Sequence, residues 1–193
     1  MAHAVPPAHA SRALPEPAET DRLGQALACA CALHADAIEQ LGLQVNLSGD
    51  LGSGKTSLVR AWLRALGIHG PVRSPSFAVL ETYVVLLRHS AAQSGAALEA
   101  ETISSLDFYH FDFYRFADPS EFSAAGFRDA FGAGRICAIE WPEKAGLRLP
   151  TADLSIALAV EDAGRRASFS APSELGRACL ASALTNFDSA AAA

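Results

Sequence analysis

Eight residues, Gly49-Asp50-Leu51-Gly52-Ser53-Gly54-Lys55-Thr56, constrain this chain more than any other stretch. They fit G-x-x-x-x-G-K-[ST], a turn that cradles the phosphates of ATP or GTP. Glycine lets the backbone take conformations a Cβ would forbid, so successive N–H groups can turn onto one anion. The pattern needs a strand before it and a helix after it. Leu43-Gln44-Val45-Asn46-Leu47 alternates as a short strand does. From Ser57 to Leu66, Leu58, Val59, Trp62, Leu63 and Leu66 recur at helical spacing, with Arg60 and Arg64 on another face. A helix starting at that turn directs its positive dipole end at the phosphates. Asp50, Leu51, Gly52, Ser53, Gly54, Lys55, Thr56 and Ser57 are therefore the expected phosphate-binding residues. Lys55 supplies a point charge, and the Thr56 hydroxyl is a ligand for Mg²⁺.

Downstream, two carboxylates end apolar runs. In Leu106-Asp107-Phe108-Tyr109-His110-Phe111-Asp112-Phe113-Tyr114-Arg115-Phe116, strand alternation sets His110 and Asp112 opposite Phe111 and Phe113. A carboxylate closing a strand after a phosphate turn suits a metal-binding role, so Asp112 is a candidate. His110 reads as packed and hydrogen-bonded rather than as a base. Ile136-Cys137-Ala138-Ile139-Glu140 is a second such strand, and Glu140 suits metal binding or orientation of an attacking water. Trp141, next along, fits either the core or a partner-facing surface. Pro71-Val72-Arg73-Ser74-Pro75-Ser76-Phe77 is stiff and extended. It fits both a switch segment whose Ser74 and Ser76 hydroxyls face phosphate and metal, and an ordinary proline-rich connector.

The remaining chain supplies scaffold. Residues 1–13, with Pro6, Pro7 and several alanines, read as a disordered tail. One helix is expected from Thr20, a possible cap, to about Gln40. Ala78 to Leu87 reads as a strand. Arg88 to Ser105 reads as a surface loop, partly helical around Ala96 to Ala100. Asp118-Pro119-Ser120-Glu121 opens a short helix. Leu154 to Val160 and Ala167 to Ala171 can form a hairpin, followed by a helix from Glu174 to Leu184 and a frayed tail over 187–193.

At 193 residues the chain suits one domain, over 14–186, of soluble globular composition. No apolar run approaches a membrane span, and no secretory pattern opens the chain, so a cytoplasmic location with no membrane partner is expected. The net charge of −6 argues against a basic face gripping nucleic acid, so any RNA would be held by a partner. The four cysteines show neither zinc spacing nor a CxxC pair, and His3 and His9 have no companions at ligand spacing. Reduced, mostly buried thiols are expected.

The four linked motifs, Gly49 to Thr56, Ser74-Pro75-Ser76-Phe77, Tyr109 to Arg115 and Ile139-Glu140-Trp141-Pro142-Glu143-Lys144, resemble in order and spacing the bacterial TsaE family over roughly residues 14–170. The resemblance implies a three-layer α/β, P-loop NTPase-like fold with a central, mostly parallel sheet. It implies a weak ATPase of tRNA threonylcarbamoyladenosine synthesis that works with TsaB and TsaD, where TsaD modifies A37 beside the anticodon. It further implies ATP and Mg²⁺ as cofactors, with Lys55 and Thr56 on phosphate and metal, Asp112 and Glu140 at the catalytic centre, and Ser74 to Phe77 as the switch. Nucleotide contacts from around Thr20 and from Gly164 and Arg165 are also implied. Two departures stand out: Ser76 replaces the usual threonine, and residues 84–106 exceed the usual short hairpin, an insertion easily placed on the surface. Two rival functions fit the phosphate turn. A small-molecule kinase would need a lid of arginines, and those between Arg88 and Arg165 are scattered. The other is a nucleotide-dependent binding module without hydrolysis.

Overall fold

The computed structural model describes residues 8–75, 78–90, 101–162 and 164–190. Its strands are β1 (His9–Leu14), β2 (Leu43–Ser48), β3 (Leu80–Ser90), β4 (Glu101–Asp112), β5 (Arg135–Glu140), β6 (Leu154–Glu161) and β7 (Gly164–Ser170). Its helices are α1 (Pro17–Leu33), α2 (Ala35–Leu41), α3 (Lys55–Ala65), α4 (Ser120–Ala124) and α5 (Glu174–Ser189). The strands form one seven-stranded sheet in the order β1-β7-β6-β2-β5-β4-β3. Its four central strands, β6, β2, β5 and β4, run parallel, and the flanking pairs are antiparallel.

Burial explains which strands are central. Every residue of β5 after Arg135 is buried, the pattern of a strand covered on both faces. On one face Ile136, Ala138, Val45, Leu47, Phe108 and Ile156 meet α1, α3 and α5 in the main core. There Trp62 of α3 sits edge-on to Phe108, with ring centroids 5.0 Å apart. The opposite face carries a smaller cluster, Phe111, Phe113, Phe116, Phe122, Cys137 and Ile139, closed over by α4 and its neighbouring turns. Helix layer, sheet and thin second cover make the three layers.

Several boundaries differ from the sequence expectation. Residues 9–14, expected in the disordered tail, form β1, which pairs with β7 from His9↔Ser170 to Leu14↔Arg165. Its alanines and serine give a weak strand signal, and the backbone ladder supplies the order. The expected single helix is two, broken at His34. Thr20 does not cap α1. Glu16 takes that position, without a side-chain bond, and Thr20 is buried in the helix. Within the expected loop over 88–105, the described residues 88–90 and 101–105 are strand, because the β3–β4 ladder continues through Arg88↔Ile103 to Ser90↔Glu101. The helical stretch expected around Ala96 to Ala100 lies outside the described residues.

The final helix passes Leu184 and reaches Ser189, into the segment expected to fray. Two contacts hold it. Phe187 is buried with the Arg22 guanidinium 4.3 Å above its ring, and Arg12 of β1 makes a two-pronged bond to Asp188 at 2.8 and 2.6 Å. Three of the four cysteines are buried, and Cys29 is exposed. Burial raises the Cys137 and Cys179 thiols to about 12, so they stay protonated.

Two stability predictions follow from these packings. Helices α1 and α3 touch at Gly24, where a Cβ would lie 2.6 Å from both the Ala61 Cβ and the Trp62 backbone nitrogen. Gly24→Ala is expected to cost about 1–3 kcal/mol through overpacking, read from the urea midpoint. The Arg12 bond holds the Asp188 carboxyl below its ordinary 3.8. A depressed carboxyl stabilises the fold above that ordinary value and loses the contribution as pH falls through the lowered one. Because the pair is solvent-screened, Asp188→Asn should cost less than about 1 kcal/mol near neutrality. The gap from wild type should close in strongly acidic buffer.

Candidate functional site

The site grows from the carboxyl ends of three adjacent strands. β2 delivers the glycine-rich turn, and parallel pairing sets Leu47 beside Glu140 and Glu140 beside Asp112. The turn runs straight into α3, whose cap residue, Gly54, has φ +106°. An L-residue there is strained. It would also place a Cβ 3.1 Å from the Arg165 Nε, which donates to the Ser53 carbonyl at 2.6 Å. Arg165 thus braces the turn from β7.

Around the first turn of α3 the polar groups interlock. The Thr56 hydroxyl donates to Glu140, 2.8 and 3.0 Å from its two oxygens. The His110 Nε2 lies 2.9 Å from Glu140 Oε1, where a carboxylate acceptor sets this ring nitrogen as the donor. The Ser74 hydroxyl donates to Asp112 Oδ2 at 2.5 Å, and the Tyr114 amide donates to Oδ1 at 3.0 Å. His110, Asp112 and Glu140 are all buried, so electrostatic interactions at this site are weakly screened. The Lys55 ammonium donates to the carbonyls of Gly49 and Asp50, at 2.6 and 2.9 Å. It also lies 4.0 Å from the centroid of the Trp141 ring, a cation–π contact. Burial lowers the Lys55 pKa from its ordinary value, against the pull of Glu140, Glu143, Asp112 and Asp50.

Lys55, Thr56, Ser74, Asp112, Glu140 and Trp141 line a cavity of about 380 Å³. Of the sequence candidates, Leu51, Gly52, Gly54, Lys55, Thr56, Ser57, Ser74, Asp112, Glu140 and Arg165 border it. Asp50 contributes its carbonyl to Lys55, and the buried Ser53 supplies the backbone of the turn. Thr20 and Gly164 are not among its lining residues. Thr20 is buried in α1, and Gly164 backs onto Pro15, which a Cβ would approach to 2.7 Å. Ser76 lies outside the described residues. Ser74 belongs to an extended stretch whose Val72 carbonyl accepts from Arg60 at 3.1 Å, so the segment is tied to α3 on one side and Asp112 on the other.

Three lining residues were not expected in the cavity: Tyr114, Arg115 and Trp141, the last expected in the core or at a partner-facing surface. The first was accessible from strand parity, since 114 is two residues beyond Asp112. Trp141 was not, because its place depends on a left-handed backbone, φ +58°. That turn lifts its ring over Lys55 and against Tyr114, 4.9 Å away between centroids.

The donor set tests whether Mg²⁺ fits. Thr56, Ser74, Asp112 and Glu140 offer only oxygen, as a hard cation requires. Among the described residues no three His, Cys, Asp or Glu side chains cluster as an all-protein metal cage. Mg²⁺ is commonly held by one or two carboxylates plus substrate phosphates and water, so this set suits it.

A seven-stranded mixed sheet flanked by helices, with strand, glycine-rich turn and helix at the carboxyl ends of its central strands, defines an α/β protein. The solved structure of Bacillus subtilis YdiB shares that fold, with a TM-score of 0.62 at 21% identity, covering 92% of this chain and 95% of the other. The family described as "Threonylcarbamoyl adenosine biosynthesis protein TsaE" matches residues 14–168, and this chain belongs to it. It is 37% identical over 135 residues to the Haemophilus influenzae tRNA threonylcarbamoyladenosine biosynthesis protein TsaE, covering 70% of this chain and 74% of the relative. The Synechocystis protein of the same name is 33% identical, covering 68% and 69%. Among the described residues no helix is long and apolar enough to cross a membrane.

Gly54→Ala probes the turn directly. Left-handed strain should cost about 1–2 kcal/mol, lowering the thermal midpoint of the protein without any added ligand.

Proposed function

We propose that this protein binds ATP with Mg²⁺ in the cavity beside Lys55 and hydrolyses it as part of tRNA N6-threonylcarbamoyladenosine synthesis. Hydrolysis would drive the cycle of a TsaB–TsaD transfer complex in the cytoplasm, with tRNA held by those partners. The pathway rests on family membership and on relatives that share one name. The nucleotide chemistry rests on one observation: Thr56, Asp112 and Glu140 converge at the start of α3.

The chain's own groups divide the work. Backbone amides of the turn and the α3 dipole would receive the phosphate oxygens. Lys55, held in the resting protein on two carbonyls of the turn, would exchange them for the β- and γ-phosphates. Thr56 would release Glu140 and turn its oxygen to the cation, while Asp112 and Glu140 balance the cation's charge. When bound, Mg²⁺ supplies positive charge against the terminal phosphates. Glu140, steered by His110 at 2.9 Å, would orient the attacking water. The net charge of −6 supports leaving tRNA to partners.

Turnover of ATP, assayed alone and then with TsaB, TsaD and tRNA, tests the reading by release of free phosphate. Glu140→Gln keeps the side-chain shape and should lower turnover by about 10²-fold or more, with a much smaller change in nucleotide affinity. Wild-type hydrolysis and wild-type tRNA modification by that variant would refute the assignment.

A further inference from the structure

Trp141 has a left-handed backbone, φ +58° and ψ +49°, uncommon for a bulky side chain. Such a conformation persists only where its neighbours enforce it, and it gathers at sites where a side chain has to be aimed. The neighbours here are identifiable. The Trp141 amide donates to the Leu47 carbonyl of β2 at 3.3 Å, and the Trp141 carbonyl accepts from the Lys144 amide at 3.0 Å. The backbone is therefore tied to the strand that leads into the glycine-rich turn. The indole is held as well. Tyr114 lies against it, 4.9 Å between centroids, and the ring packs on the smaller aromatic cluster. What this turn delivers is an aromatic face at the Lys55 ammonium, 4.0 Å from the ring centroid.

An ammonium has three N–H donors. Two of those of Lys55 go to the Gly49 and Asp50 carbonyls, and the indole face is the third partner. The face of an aromatic ring carries the negative part of its quadrupole. It attracts a cation and offers nothing to a phosphate oxygen. Ring and phosphate thus compete for one ammonium, and a ligand that takes Lys55 must draw it off the indole. We propose that Trp141 is a positioning residue that sets the phosphate affinity of the cavity by holding Lys55 against its indole face. The inference rests on reading the cavity as a polyphosphate site. Leucine at 141 would cover the ammonium without a π face, and phenylalanine would supply a weaker one. Both carry a Cβ into the left-handed backbone as tryptophan does, so that strain is common to all three proteins.

Calorimetric titration of the full chain in magnesium buffer, with inorganic tripolyphosphate and separately with ATP, tests this. Tripolyphosphate has no base or sugar to stack on the ring, so it isolates the phosphate contacts. Trp141→Leu should bind it about three- to tenfold more tightly than wild type, and Trp141→Phe by an intermediate factor. A merely structural role predicts the opposite, because a loosened site binds more weakly. Fluorescence gives a second readout. The chain has two tryptophans, so Trp62→Phe leaves Trp141 as the sole indole. In that background Lys55→Met should shift the emission maximum before any ligand is added. Saturating tripolyphosphate should shift the protein that keeps Lys55 in the same direction. Thermal unfolding followed by circular dichroism should show each variant to be folded. Equal or weaker binding by Trp141→Leu, or emission unmoved by bound tripolyphosphate, overturns the proposal and leaves the polyphosphate reading intact. Failure of wild type and Trp141→Leu alike to bind either ligand overturns that reading, and the proposal with it.

Discussion

The parallel register of β4, β5 and β2 is the constraint on which the rest of the site depends. It places Asp112 beside Glu140, and Glu140 beside Leu47, the penultimate residue before the turn. Two carboxylates that would repel each other in isolation are thereby fixed next to an ammonium and a helix N-terminus. Their burial makes the arrangement costly unless each is hydrogen-bonded. Thr56 and His110 serve Glu140, and Ser74 and the Tyr114 amide serve Asp112. Both acids are therefore satisfied from within the protein, by two hydroxyls, one imidazole and one backbone amide.

The same economy governs Lys55. Its ammonium is occupied by carbonyls of its own turn and by the face of Trp141. Arg165 braces the turn through Ser53, so three strands and one helix fix a segment of eight residues.

Much of this was legible in the sequence because the signals were local. Gly49 to Thr56 carries its own geometry, and Asp112 and Glu140 stand at the ends of readable strands. Less was legible where order comes from the partner. β1 is made of weak strand formers and exists through its ladder with β7. Residues 88–90 and 101–105 look polar and loop-like, yet they extend the β3–β4 ladder. Trp141 reaches Lys55 only through a left-handed backbone that no periodicity announces. At His34, where the helix breaks, and at Phe187, near the end of α5, the contacts are distant in sequence, with Ser182 and Arg22 respectively. Thr20 shows the converse: its place near a helix start suits a cap, and packing buries it instead.

Calorimetric titration with ATP, run with and without magnesium on wild type and on Asp112→Asn, addresses the central claim most directly. The account expects saturable one-site heat for wild type, enhanced by magnesium, and loss of that enhancement in the variant. Absence of heat from the wild-type protein with magnesium and ATP together, or a magnesium effect undiminished without the Asp112 charge, would contradict it.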